Sequence, residues 1–434
     1  MKKDWEIKKQ NLEGRTPSTC EAGVSPLQTS SLPQHALKAG WEIKKLGELT
    51  LDKMSYGTSS PSCEYDGETR YIRITDINDN GELNEDFVSP ISYEEKHVLQ
   101  DGDIVFARTG ATVGKAYCYH SSNAKYVYAG YLIRLRPNKK IVLPDYIFYY
   151  TKSKNYLDFI RSSQVAAAQP NVNAEKYSNL EIPVPPLEEQ KRIVKILDEK
   201  FAQLETIKTN AQTNLQNAKD LLFAELTKTF SNESWSKMTL QEVCTRKITD
   251  GTHQTPKYCT KEEGGFPFIS SKDVTKEYID WSNIKYIVPE LHEELYKRIA
   301  PQKDDVLLAK NGTTGVAAIV EDDRIFDIYV TLAVLRPNQE IINPRYLLAI
   351  VNSPLCKKQF DAHLKGSGVP NLHLEEIQKI IIPVPPLKEQ KELINKIEVL
   401  KEKIHSLQEI YTKQIANCDE LKQALLQKAF EGEL

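Results

Sequence analysis

Two short polar segments carry side chains able to bond to base edges and phosphates. Residues 56–61 (YGTSSP) and 250–256 (DGTHQTP) each hold a glycine among Thr, Ser, His and Gln. A second matched pair, Arg108-Thr109 and Lys310-Asn311, follows the apolar runs 104–107 (IVFA) and 306–309 (VLLA). Arg, Lys, Asn, Gln and Thr are the donors and acceptors that read duplex nucleic acid. The candidates for such contacts are Thr58, Ser59, Arg73, Arg108 and Thr109 in one half of the chain. In the other half they are Thr252, His253, Gln254, Lys272, Lys310 and Asn311. Solvated turns draw on the same residue types, so composition alone does not separate the two readings.

Catalytic chemistry finds little support. Gly110-Ala111-Thr112-Val113-Gly114-Lys115 has one residue too few for a phosphate loop, and Ala116 replaces the Ser or Thr that would hold Mg²⁺. Its counterpart Gly312-Thr313-Thr314-Gly315-Val316 lacks the lysine, so a tight turn between strands is expected in both. His253, Cys259 and Cys244 lack zinc-ligand spacing. Asn343-Pro344-Arg345-Tyr346 lacks the second proline of a methyltransferase box, and Leu143-Pro144-Asp145-Tyr146 marks it as a helix start. No nucleophile–base set recurs in both halves. The expectation is a non-enzymatic chain with no cofactor and no metal.

The elements that carry these segments occur twice. Residues 182–197 (IPVPPLEEQKRIVKIL) return as 382–397 (IPVPPLKEQKELINKI). Trp41 matches Trp235, residues 135–138 (LRPN) match 335–338, and Pro170-Asn171 matches Pro370-Asn371. Short apolar runs bounded by Gly, Asn, Asp and Pro read as strands, at 71–74, 104–107 and 131–135. Residues 144–160 space their apolar side chains as one helix does. Framework is kept while the intervening segments diverge. The fold class is α+β, with two tandem α/β units related by a pseudo-twofold repeat. Boundaries fall at 1–40 (a Ser-, Pro- and Gly-rich leader), 41–181, 182–230, 231–381 and 382–434. WEIKK occurs at 5–9 and again at 41–45, a short duplication or an alternative start.

After Pro185-Pro186 and Pro385-Pro386 the period changes to three and a half. Proline cannot sit in a helix interior, so the helices begin near Leu187 and Leu387. In the first, Val194, Leu197, Phe201, Leu204, Ala211, Leu215, Ala218 and Leu222 form a seam interrupted at Lys208. In the second the seam is Ile397, Leu400, Ile404, Leu407, Tyr411, Cys418, Leu421 and Leu425, interrupted at Gln414. Heptad spacing over four repeats indicates a coiled coil. Two such helices in one chain most simply pack on each other.

The 434 residues are 40% hydrophobic and 27% charged, as in an ordinary globular protein, and no run approaches the length of a membrane span. Seven scattered cysteines without a Cys-x-x-Cys pair, and no secretory signal, point to a reduced, cytoplasmic setting. Net charge is −3. Lys and Arg number 17 against 18 Asp and Glu over residues 41–180, and 19 against 20 over 235–380. Nucleic-acid binders usually carry a basic excess. This balance favours a rival reading, a coiled-coil scaffold whose two α/β modules bind proteins.

The repeated PVPPLEEQ-type helix start, the variable unit before it and the C-terminal residues 426–434 (LQKAFEGEL) resemble the specificity (S) subunit of Type I restriction-modification systems. The resemblance covers residues 41–434. It implies two target-recognition domains, each for one half of a split, asymmetric site in double-stranded DNA. It also implies an antiparallel coiled coil of the two helices that spaces the domains and receives two methyltransferase (M) subunits. Motor and nuclease (R) subunits join through these. Helices of about 40 residues rise about 60 Å, against about 34 Å for a turn of DNA, so the domains could take successive major grooves.

Overall fold

The computed structural model describes residues 38–121, 124–165, 171–274, 278–364 and 371–434. Nearly all of the 1–40 leader, with its copy of WEIKK, lies outside them, as do Pro170 and Pro370. The chain forms two compact units, Met1–Leu204 with Asp419–Leu434, and Glu205–Cys418. Each therefore takes stretches of both long helices.

In the first unit an antiparallel four-stranded sheet has the order Ser55–Tyr56, Leu132–Leu135, Ile104–Ala107, Ala116–Cys118. The second unit repeats it with Thr249–Asp250, Leu332–Leu335, Val306–Ala309 and Ala317–Ile319. Inward positions are uniformly apolar: Ile104, Phe106, Ile133 and Leu135 share one core, and Val306, Leu308, Ala333 and Leu335 the other. The opposite faces are covered by strands that differ between the units. Thr69–Ile72 runs parallel to Lys125–Tyr128, and Phe266–Ile269 runs parallel to Asp327–Ile328. The second WEIKK becomes a strand, Glu42–Lys45, paired antiparallel with Glu181–Val184; Ser236–Thr239 does the same with Ile381–Val384.

The expected turn joins Ile104–Ala107 to Ala116–Cys118, with Gly110 and Gly114 at φ +72 and +89. Gly312 and Gly315 (φ +77 and +92) take the same role in the second unit. This left-handed backbone favours glycine and needs no bound phosphate to explain it. Residues 144–160 are not one helix. Pro144–Tyr150 ends, and Lys154–Val165 begins after a break at 151–153. The Thr151 hydroxyl donates to the Phe148 carbonyl (2.6 Å), and Ser153 Oγ accepts from the Tyr156 N–H (3.3 Å). These local hydroxyl bonds compete with the helical ladder and cap the second segment. The break recurs between Pro344–Val351 and Pro354–His363. Asn343 caps the former through the Arg345 N–H (2.9 Å), so Asn-Pro is a helix start as expected.

The long helices run Leu187–Thr229 and Leu387–Glu431. The repeated glutamine of the helix start explains why that motif is kept. Gln190 is buried; it accepts from the Leu143 N–H (2.8 Å) and donates to the carbonyls of Ile141 (3.0 Å) and Pro185 (2.8 Å). Gln390 bonds the Asn343 N–H (2.7 Å) and the Ile341 and Pro385 carbonyls (2.9 and 2.8 Å) in the same way. One amide thus satisfies three backbone groups and ties the start of the long helix to the loop that precedes the short helix at Pro144 or Pro344. In the first unit Ile193 and Leu197 share a core with Leu426, Ala429 and Phe430, and Phe430 meets the Tyr146 and Tyr150 rings edge-on. In the second, Leu226 and Phe230 share a core with Ile394 and Ile397, and Phe230 meets Tyr346. The start of one helix lies with the end of the other in each unit, the arrangement of an antiparallel pair.

Along the central helix Leu197, Leu204, Ala211 and Ala218 are buried, with Val194, Phe201, Leu215 and Leu222 half-buried. The C-terminal helix departs from expectation. Ile397, Ile404 and Cys418 are buried, and Leu400, Tyr411 and Leu425 half-buried, but Leu407 is 36% and Leu421 52% exposed. Lys401, Gln408 and Lys422 take the half-buried places instead. The stripe therefore steps by four then three from Ile397, not three then four. Long polar side chains cover such positions with their aliphatic stems while the polar heads stay wet.

Candidate nucleic-acid interface

One end of each four-stranded sheet gathers the paired candidate segments. In the first unit Thr58 bonds backbone to backbone with Tyr128 (3.0 Å) and Gly130 (2.7 Å). The Arg108 N–H donates to the Tyr131 carbonyl (3.1 Å), and the Arg108 carbonyl accepts from Val172 (3.0 Å). In the second, Lys310 repeats this with Thr331 (2.9 Å) and Leu372 (2.8 Å). Isolated bridges tie Thr109 to Asn171 and Asn311 to Asn371. The shared glycine is a steric necessity. A Cβ on Gly57 would lie 2.1 Å from the Tyr128 carbonyl oxygen, and one on Gly251 2.0 Å from that of Ile328.

Side chains at this shared frame behave differently. Arg108 lies over the Tyr56 ring (4.9 Å to its centroid) and near the Tyr131 ring (5.6 Å), and both tyrosines are exposed. The Tyr56 hydroxyl accepts from the Ala174 N–H (3.2 Å), which fixes that ring. At the equivalent place Lys310 is only 6% exposed and bonds Asp250 at 2.9 Å. Arg298 (3.6 Å) and His253 (3.3 Å) also face this carboxylate. The first unit presents a cation on aromatic faces; the second closes its cation into an ion pair.

The remaining candidates divide by environment. Ser59, His253, Gln254 and Lys272 are exposed, and Thr58, Thr109 and Asn311 half-buried. Thr58 Oγ1 accepts from the Ser60 N–H (3.2 Å) and Thr252 Oγ1 from Gln254 (3.1 Å), so both hydroxyls brace their turns. Thr252 is buried, a correction to its place among accessible contacts. Arg73 forks onto Asp76 (3.1 and 2.8 Å) and reaches Asp86 (2.6 Å), which raises its affinity for its proton and spends its charge inside the protein. Lys310 is likewise committed. Tyr56, Tyr131, Asp250 and Arg298 were missed as partners. The signal was available: where one copy sets an aromatic before its Arg, the other sets an aspartate before its Lys.

Cys118, His120 and Asp145 bring one potential metal-ligand atom each within 4.8 Å of one another. Burial pushes the Cys118 thiol up, away from thiolate. The matching positions in the second unit are Ile319, Glu321 and Arg345, and there Arg345 pairs with Glu321 at 3.6 Å. His120 and Asp145 (3.2 Å) are the counterpart of that structural pair.

The chain is a duplicated α/β module, each copy running into a long helix. The profile of the Type I restriction modification DNA specificity domain matches residues 38–215 and 232–414, and the chain belongs to this family. It is 26% identical over 313 residues to the Type I restriction enzyme EcoBI specificity subunit of Escherichia coli, covering 66% of this chain and 65% of that one. It is 24% identical over 351 residues to the MjaVIII specificity subunit of Methanocaldococcus jannaschii, covering 78% and 80%. A solved chain from the complex assembly of a type I R-M system superposes with a TM-score of 0.74 at 20% identity, over 92% of this chain and 99% of that one. This last likeness is one of fold. Among the described residues no helix is long and apolar enough to cross a membrane.

Proposed function

We propose that the chain is the DNA-sequence specificity subunit of a Type I restriction-modification complex acting in the cytoplasm. Residues 41–181 and 231–381 each read one half of a bipartite, asymmetric site in double-stranded DNA. Residues 182–230 and 382–434 form the spine that receives two methyltransferase subunits, with motor and nuclease subunits joining through them. The chain supplies no catalytic group in this reading. Base contacts come from the exposed and half-buried members of the candidate set: Thr58, Ser59, Arg108 and Thr109, then His253, Gln254, Lys272 and Asn311.

The observation that carries the reading is the family match to both copies, 38–215 and 232–414. The constant framework with divergent side chains at Arg108 and Lys310 supports it, since one fold with two surfaces suits two different half-sites. Near-neutral units imply that phosphate attraction comes largely from partner subunits and local patches. Methylome sequencing of the host with and without this gene is the test. One split methylated motif should disappear on deletion. An unchanged methylome would favour the protein-binding scaffold that the charge balance suggests.

A further inference from the structure

We propose that Arg108, braced by Tyr56 and Tyr131, reads a guanine through its N7 and O6 edge in the half-site of the first unit; this rests on the DNA-reading function above. Among the described arginines of this unit, Arg73, Arg134, Arg136, Arg161 and Arg192 each pair with a carboxylate. Arg70 is buried and bonds the Asn84 carbonyl. Arg108 alone is partly exposed and carries no carboxylate partner among the described residues. Its Nε is buried without a hydrogen bond, and among the described residues no hydrogen bond to either Nη nitrogen is found, which leaves the outer edge of this half-buried guanidinium unclaimed.

Two features make that edge a base reader. The guanidinium carbon sits 4.9 Å from the Tyr56 ring centroid and 5.6 Å from that of Tyr131, so the side chain is confined between two rings and less freedom remains to be lost on binding. The backbone beneath it is pinned on both sides, by the Tyr131 carbonyl and the Val172 N–H. Phosphate oxygens also accept a bidentate arginine, and base-by-base substitution of the duplex separates that contact from a base contact. A planar, pre-oriented pair of donors matches the paired acceptors on the major-groove edge of guanine. The second unit has no equivalent, because Asp250 stands in place of Tyr56 and takes up Lys310. The inference is thus specific to one half-site.

The test uses the full chain assembled with its methyltransferase subunits. Binding and methylation are measured on duplexes that carry the methylated motif, with each base pair replaced in turn, at two salt concentrations. Arg108→Gln should lose roughly 5- to 150-fold of the preference for guanine at one position of one half-site, with the other half-site unaffected. Tyr131→Ala, at an exposed ring, should relax the same position by a smaller factor and covers the case in which Arg108→Gln does not assemble. Uniform weakening across all duplexes, with the salt slope reduced by about one, would assign Arg108 to a phosphate and overturn the proposal while leaving DNA reading intact. Unchanged base preferences in both variants would overturn it as well. A wild-type assembly that methylates no defined sequence would overturn the underlying function, and this inference with it.

Discussion

Ile404→Asp should unfold the helical spine, while Leu407→Asp, less than one turn away, should leave the melting temperature almost unchanged. Both residues are apolar and both fit a heptad on paper, so hydropathy gives no reason to separate them. In the structure Ile404 is 2% exposed, on the buried stripe with Ile397 and Cys418. Leu407 is 36% exposed, and Gln408 takes the seam position. Truncating a buried Ile to Ala costs about 2–5 kcal/mol. An aspartate there costs more, since an unpaired carboxylate must either be desolvated or take up a proton. A substitution on the outer face typically changes stability by about 0.5 kcal/mol or less. Thermal melts of the two variants, beside Ile404→Ala, check this. Equal losses for Ile404→Asp and Leu407→Asp would show that the four-then-three register is wrong.

Arg136→Ala should destabilise the first unit by about 3–5 kcal/mol. Its guanidinium forks onto Asp103 with two bonds of 2.9 Å, and Asp103 is only 1% exposed. The carboxylate also accepts the Gln100 N–H (2.8 Å), which fixes the turn before strand Ile104–Ala107. Removing the arginine leaves a buried carboxylate with one backbone donor. The second unit builds the same clamp from Arg336 and Asp305 (2.8 and 2.7 Å). That is why the Leu-Arg-Pro-Asn segment and the aspartate before the central strand recur together. Breaking one partner of a buried pair costs more than replacing both, so Arg136→Leu with Asp103→Leu should recover much of the loss. Urea unfolding measures both. A midpoint unchanged in Arg136→Ala, or a double variant no better than the single, would contradict the clamp.

The fold was legible where local chemistry and the duplication agreed. Both long helices begin where proline puts them, at Leu187 and Leu387. Strand Ile104–Ala107, the glycine turn after it and the Asn-Pro helix start all follow from residue type. The register of the C-terminal helix did not. Its leucines at 407 and 421 stand one place before the half-buried Gln408 and Lys422, and burial there is set by helix geometry and the aliphatic stems of polar side chains. The break at 151–153 was hidden because apolar spacing continues across it, while hydroxyls decide the backbone path.

The candidate site was legible as a place and less so as a list. Matching the two copies singled out residues 56–61 and 108–109 in the first unit and 250–256 and 310–311 in the second, and within each unit the two segments lie at one end of its own sheet. Which side chains stay free depends on partners distant in sequence. Arg73 is neutralised in part by Asp86, Lys310 by Asp250, and Thr252 is buried. Such pairings arise from tertiary placement and leave no periodic trace.

The central claim is that each unit reads its own half of the site. Exchanging residues 41–180 for the equivalent unit of a related chain tests it, because the splice falls before the helix start that both units share. The hybrid is expressed with its methyltransferase subunits, and the methylome of the host is sequenced. The account predicts a new sequence in one half of the methylated motif and the original sequence in the other. A hybrid that assembles and methylates, yet keeps the complete original motif, would contradict it.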